Sequence, residues 1–144
     1  MSQHLTIPQI QQIKDEVCAD WINRLQINMQ SFDTGGALFH WVATPELLRN
    51  IHGSELLMSG QAMMAVADTA SFMTICAVNG RMRHCVTVDM HTNFLRPMQD
   101  GTIEVTIQII ANGRKTVTTR TDFRMQGKER ICATATGVFM YLDS

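Results

Sequence analysis

Residues 60–78, GQAMMAVADTASFMTICAV, would be apolar on nearly every face of a helix and carry a single formal charge, Asp68. No other charged side chain lies between Glu55 and Arg81. Such a helix has to be covered on all sides, by lipid or by the rest of its own domain. The run approaches membrane-spanning length. It also holds Gln61, Thr69, Ser71 and Thr74 beside Asp68, and a charge at mid-bilayer is costly. A buried helix in a soluble domain is therefore expected, with no membrane partner. Ser59 is suited to cap its start, and Asn79-Gly80 to end it.

Residues beyond Arg81 supply the cover. There the apolar period changes from helical to two. In VTVDMHTNF, Val86, Val88, Met90 and Phe94 alternate with Thr87, Asp89, His91 and Asn93. In TIEVTIQII the apolar set is Ile103, Val105, Ile107 and Ile109; TVTTRTDF and ICATATGVFMYL continue the series. Asp100-Gly101, Asn112-Gly113 and Gly127 separate the runs, and Asn-Gly is a strong hairpin signal. Four successive strands joined by tight turns form an antiparallel meander with one apolar face. A short strand at about Leu38 to Thr44 joins it, and PELLRNIHGSELLMS reads as irregular with a turn near Gly53. The expected architecture is α+β, a curved antiparallel sheet wrapped around the long central helix.

The N-terminal segment TIPQIQQIKDEVCADWINRL opens with a helix start. Thr6 can cap, Gln9 stands three positions on as in a capping box, and Pro8 lies in the first turn. Ile10, Ile13, Val17 and Trp21 recur at helical spacing, which predicts an outer helix at about 6–29. The whole chain, 1–144, is expected to be one domain.

Composition removes several function classes. With 45% hydrophobic residues, 17% charged and a net charge of −1, the chain has no basic stripe for a phosphate backbone, so no nucleic acid is expected. Cysteines 18, 76, 85 and 132 form no CxxC pair and no cluster with histidine. Reduced thiols in a cytoplasmic protein are expected, with no metal site. No signal-like start is present either, which fits the same compartment.

The order of elements, one long helix and then a wrapping sheet, is that of the hot-dog fold. ADTASF on the helix, VTVDMHTNFLRP on the next strand and ATATGVFMYL at the end resemble the phenylacetate-type acyl-CoA thioesterases of the 4-hydroxybenzoyl-CoA thioesterase superfamily. The resemblance covers roughly residue 38 to the C-terminus. It implies a hydrolase of acyl-CoA thioesters, a homodimer or dimer of dimers, and no cofactor beyond the CoA of the substrate. In that family a His-Gly-Gly triplet opens the helix, and an acidic residue comes eight positions after its first glycine. Here the triplet is Ser59-Gly60-Gln61 and the acid is Asp68. The family's asparagine six residues before the triplet is Gly53 here, with Asn50 and His52 nearby but out of register. The family's serine or threonine on the next strand corresponds to Thr87.

The residue types suit the chemistry. Thioester hydrolysis needs a base for water, or a carboxylate that attacks directly, and donors for the oxyanion. Asp68, poorly solvated among alanine and methionine, is the candidate base or nucleophile. The free N–H groups of Gly60 and Gln61 at the helix start are the candidate donors, where the helix dipole favours negative charge. Thr87 completes the catalytic set, and Ser59 and Asn50 are candidate substrate contacts. Of the basic residues Arg81, Arg83, Arg96, Arg114, Lys115 and Arg124, the pair Arg114-Lys115 after the Asn112-Gly113 turn best suits a CoA phosphate. The eleven methionines, with Met63, Met64 and Met73 on the helix, could line an acyl pocket or simply fill the core.

Spacing adds a constraint. Eight helical residues place Asp68 about 12 Å along the axis from Gly60, too far for both to act on one carbonyl. A two-fold partner with its helix antiparallel can bring its own Asp68 beside the first Gly60. Two other functions stay open. A non-catalytic acyl-CoA binding protein is compatible with the altered triplet. A hot-dog hydratase or dehydratase is disfavoured, since no Asp-x4-His spacing begins at Asp68.

Overall fold

In the computed structural model, residues 4–51, 53 and 55–143 are described; His52 lies outside them. Helix α1 (Ile7–Val17) starts with the expected capping box. Thr6 Oγ1 accepts from the Gln9 N–H, and Gln9 Oε1 accepts from the Thr6 N–H. Next come a 3₁₀ turn (Asp20–Leu25), strands β1 (Ile27–Phe32) and β2 (Gly36–Ala43), a small hairpin β3 (Leu48–Ile51) and β4 (Glu55–Met58), and helix α2 (Gly60–Asn79). Four long strands complete the chain: β5 (Cys85–Phe94), β6 (Gly101–Asn112), β7 (Thr116–Met125) and β8 (Ala133–Tyr141). The large sheet has the order β1-β2-β6-β7-β8-β5, with every neighbouring pair antiparallel.

The interior of this curved sheet receives α2, in the hot-dog arrangement. Val66, Ala67, Ala70 and Met73 of the helix are fully buried against Phe39, Trp41, Ile103, Val105 and Phe123 of the strands. At full burial each large aliphatic side chain contributes about 1.5–3 kcal/mol relative to exposure. The polar residues on α2 are also accommodated. Ser71 and Thr119, both buried, share a hydrogen bond of 2.9 Å, and Thr74 donates to the Ala70 carbonyl at 2.8 Å. Ser59 caps the start, and Gly80 ends the helix in the left-handed region at φ 69. By length and hydropathy alone α2 could cross a membrane, but its apolar surface is the core of this domain.

Four expectations need correction. The N-terminal helix does not run to residue 29. It stops at Val17, and Gln26 takes a left-handed φ of 54 before β1. The apolar residues that pack there are Ile22 and Leu25, three apart as a 3₁₀ turn needs, then Ile27 and Met29, two apart as a strand needs. The helical stripe extrapolated through Val17 and Trp21 leaves both exposed, at 44% and 56%. Leu48–Ile51 and Glu55–Met58 are not irregular but pair as the strands of the β3–β4 hairpin, with Gly53 in a turn between them.

The meander is shorter than expected. Strands β6, β7 and β8 form it, while β5 lies at the far edge beside β8. The connection from 95 to 100 therefore crosses the end of the sheet, where Leu95 and Arg96 donate N–H groups to the Cys132 carbonyl. Asp100-Gly101 is accordingly no hairpin turn. Finally, the alternation along β5 breaks at a bulge between Thr87 and Asp89. Val86 pairs with Met140 and faces outward. Thr87 pairs with Phe139, and after the bulge Met90 pairs with Gly137. One extra residue thus turns both Thr87 and Met90 toward the interior.

Candidate active site

The start of α2 presents two unused donors. Ser59 is extended, its N–H held by the Leu47 carbonyl at 3.1 Å. Its hydroxyl accepts from the Ala62 N–H at 3.1 Å, and its carbonyl accepts from the Met63 N–H at 3.2 Å. That leaves the N–H groups of Gly60 and Gln61, which have no partner among the described residues. Gly60 keeps the approach open: a Cβ there would stand 3.2 Å from Phe94 Cζ. The donors border a cavity of about 530 Å³ whose walls include Arg49, Ile51, Phe94 and Arg96. The Ser59 hydroxyl, a candidate substrate contact, is engaged as the helix cap.

Asp68 lies two turns further along. It is half-buried, and its Oδ1 accepts from Thr87 Oγ1 at 2.6 Å, a short charge-assisted bond. The inward-turning bulge on β5 makes that contact possible, so the structure brings two sequence candidates together. They face a separate cavity of about 300 Å³, bounded by Val17, Cys18, Trp21, Phe72 and Cys85. Among the described residues, Asp68 is its only acidic or basic side chain apart from the two thiols. Burial, reinforced by the Cys76 thiol and the Asp68 charge, pushes the Cys85 thiol up to about 11; burial likewise raises Cys18. Both thiols are therefore protonated at neutral pH and are poor nucleophiles.

Where Asp68 acts as the base expected from the sequence, Thr87→Val should slow turnover by about 10- to 100-fold, the kinetic equivalent of losing one hydrogen bond to a charged group. Steady-state rates with Thr87→Ser as the rescue variant check this. Serine keeps the hydroxyl and should restore most of the activity.

The two cavities share no residue. Asp68 stands about 12 Å from Gly60 along the helix axis, and Gln61 is only one residue nearer. Within a single chain they cannot address one carbonyl.

Other candidates fall elsewhere. Asn50 does not line the Gly60 cavity. It sits on β3 between Arg49 and Ile51, which do line it, and its amide donates to the Gly53 carbonyl at 3.3 Å. Arg49 was hidden in the sequence by the irregular reading of its segment; strand alternation would have paired it with Ile51. Arg114 and Lys115 are exposed on the β6–β7 turn. That turn lies by the far end of α2, where Tyr141 donates its hydroxyl to Asn112, and Asn112 its amide to Asn79. Arg83 is taken by Asp143 at 2.7 Å and lies over the Tyr141 ring, and Arg124 donates to the Glu129 carbonyl.

No protein of curated function matches the chain by sequence. Solved structures match its fold closely. A thioesterase from Haemophilus influenzae superposes with a TM-score of 0.81 at 15% identity, covering 99% of this chain and 94% of that one. A protein from Silicibacter described as a thioesterase gives 0.83 at 18%, covering 99% and 96%. A phenylacetic acid degradation-related protein from Ralstonia eutropha gives 0.75 at 22%, covering 90% and 96%. At such identities these likenesses establish the hot-dog fold. The sequence pattern of the thioesterase superfamily matches residues 57–132, from β4 through α2 and β5 to the threshold of β8. That span is more than half of the chain and holds Gly60, Gln61, Asp68 and Thr87, and the chain belongs to the thioesterase superfamily.

Proposed function

We propose that the protein hydrolyses an acyl-CoA thioester to the free acid and CoA, at composite sites shared by two copies of the chain. The observation that carries this reading is the pairing of Asp68 with Thr87 in one cavity while the bare amides of Gly60 and Gln61 border another. Each cavity holds half of what thioester hydrolysis requires.

A surface suited to the second copy lies beside the carboxylate. Strand β5 is one of the two edges of the six-stranded sheet, ten residues long, with Val86 and Val88 exposed at 41% and 59%. A long apolar edge is a template for another strand. Pairing it with its two-fold mate would join two sheets into one. It would also set the two α2 helices antiparallel, with Asp68 of each copy beside Gly60 of the other. Two such dimers would give a dimer of dimers.

In the proposed reaction Asp68 takes a proton from water while the water oxygen bonds to the thioester carbon. The carbonyl electrons move onto oxygen, and the oxyanion accepts hydrogen bonds from the Gly60 and Gln61 N–H groups of the second copy. On collapse the C–S bond breaks and the departing sulfur takes the proton back from Asp68. Thr87 orients the carboxylate. Direct attack by Asp68 would instead form a mixed anhydride, which hydroxylamine would trap. Arg49 and Arg96 beside Gly60, and the Arg114-Lys115 turn, are the proposed contacts for the CoA phosphates. No metal, nucleic acid or membrane enters this scheme, and free thiols suit a cytoplasmic setting.

An acyl-CoA panel assayed for thiol release tests the reading. Release that depends on Asp68 supports it. Saturable CoA binding without release would identify a binding protein, and hydration of an enoyl thioester without free thiol would identify a hydratase.

A further inference from the structure

The cavity that holds Asp68 takes one wall from a part of the chain outside the superfamily match. Val17, Cys18, Trp21 and Ile22, from the end of α1 and the 3₁₀ turn, face Asp68 and Phe72 across it. Building on the thioesterase reading, we infer that this N-terminal wall selects the acyl group by length, and that the site takes a short, uncharged acyl chain.

Three observations carry this. The first is size: about 300 Å³ lies at the lower limit of ligand cavities, which run to about 1,000 Å³. The second is charge. Among the described residues, Asp68 is the only carboxylate lining the cavity, and its thiol neighbours are protonated. A second carboxylate, as in a dicarboxylic half-thioester, would meet Asp68 with no cation among the lining residues to offset it.

The third is the position of Trp21. Its indole lines the Asp68 cavity and also a neighbouring cavity of about 270 Å³ that contains Ser59 and Gln61. Gln61 and Asp68, seven residues apart, lie on nearly the same face of α2. Trp21 therefore stands as a partition across that face, and removing it would join two spaces into one of roughly double the volume. Its own exposure of 56% leaves it free to be cut back without opening the core, where Ile22 and Leu25 hold the turn.

Trp21→Ala is expected to move the acyl optimum to longer chains. The ratio of kcat/KM for a long straight-chain acyl-CoA to that for a short one should rise about tenfold or more, mainly through KM. Trp21→Phe should keep the wild-type order. A readout independent of turnover is available because Trp41 is fully buried, leaving Trp21 as the responsive indole. A short-chain acyl thioether of CoA, which cannot be hydrolysed, should shift the tryptophan emission of the wild type, and that shift should vanish in Trp21→Phe. An unchanged chain-length profile in Trp21→Ala, or an emission shift that survives in Trp21→Phe, overturns the assignment. If the wild type releases no thiol while the emission shift depends on Trp21, the acyl cavity stands and the hydrolytic reading fails.

Discussion

Asp68→Asn is expected to lower the rate of thiol release by about 10²- to 10⁴-fold, the usual contribution of a positioned general base. The substitution is nearly isosteric, and its amide oxygen can still accept from Thr87 Oγ1, so the local packing remains. What disappears is the lone pair able to hold a proton from water. Because Asp68 is half-buried and makes no ion pair among the described residues, melting temperature should stay close to wild type. Thermal unfolding alongside steady-state kinetics separates the two effects. A loss of less than tenfold with unchanged stability would remove Asp68 from the chemistry. Loss of both rate and stability would mark it as a structural residue.

Gly60→Val attacks the other half of the proposed site. An isopropyl group there would crowd Phe94 and cover the Gly60 and Gln61 N–H groups, denying them to an oxyanion. Removal of one such donor costs about 10²- to 10³-fold in kcat. Valine at the first helical position costs well under 1 kcal/mol in propensity, and the Ser59 cap is untouched. Gly60→Ala supplies a graded control. Its single Cβ, 3.2 Å from the half-exposed Phe94 ring, can be relieved by a small ring movement, so its loss should be smaller. Equal losses in the two variants would point to a backbone effect instead of blocked access.

How much of this was legible in the sequence depended on how local the determinants are. The Thr6 and Ser59 caps, the Gly80 stop and the span of α2 rest on neighbours within four residues, and the structure places all of them as read. The apolar faces of β6 and β7 were equally plain. Strand β1 was hidden because Val17 and Trp21 happen to continue a helical stripe, although the residues that pack are Ile22, Leu25, Ile27 and Met29. The edge position of β5 depends on where the chain crosses the sheet, which no periodicity encodes. The β5 bulge is the instructive case. Strict alternation sets Thr87 opposite Val86, which holds, but the same rule would send Met90 to the outer face. Only the extra residue at Val88 lets Thr87, Met90 and Phe94 all face α2. The Asp68–Thr87 contact, 19 residues apart in sequence, is a product of that bulge.

The composite site is tested most directly by mixing two inactive proteins. In the proposed assembly, homodimers of Asp68→Asn and of Gly60→Val would each lack one half at both sites. After subunit exchange, a heterodimer pairs the intact Asp68 of one chain with the intact Gly60 of the other at one of its two sites. Random assortment should restore about a quarter of the wild-type activity. Recovery to about that level, growing at the rate of subunit exchange, is the result expected. A mixture that stays as inactive as its parents, although exchange is shown to occur, would mean that each chain builds its site alone.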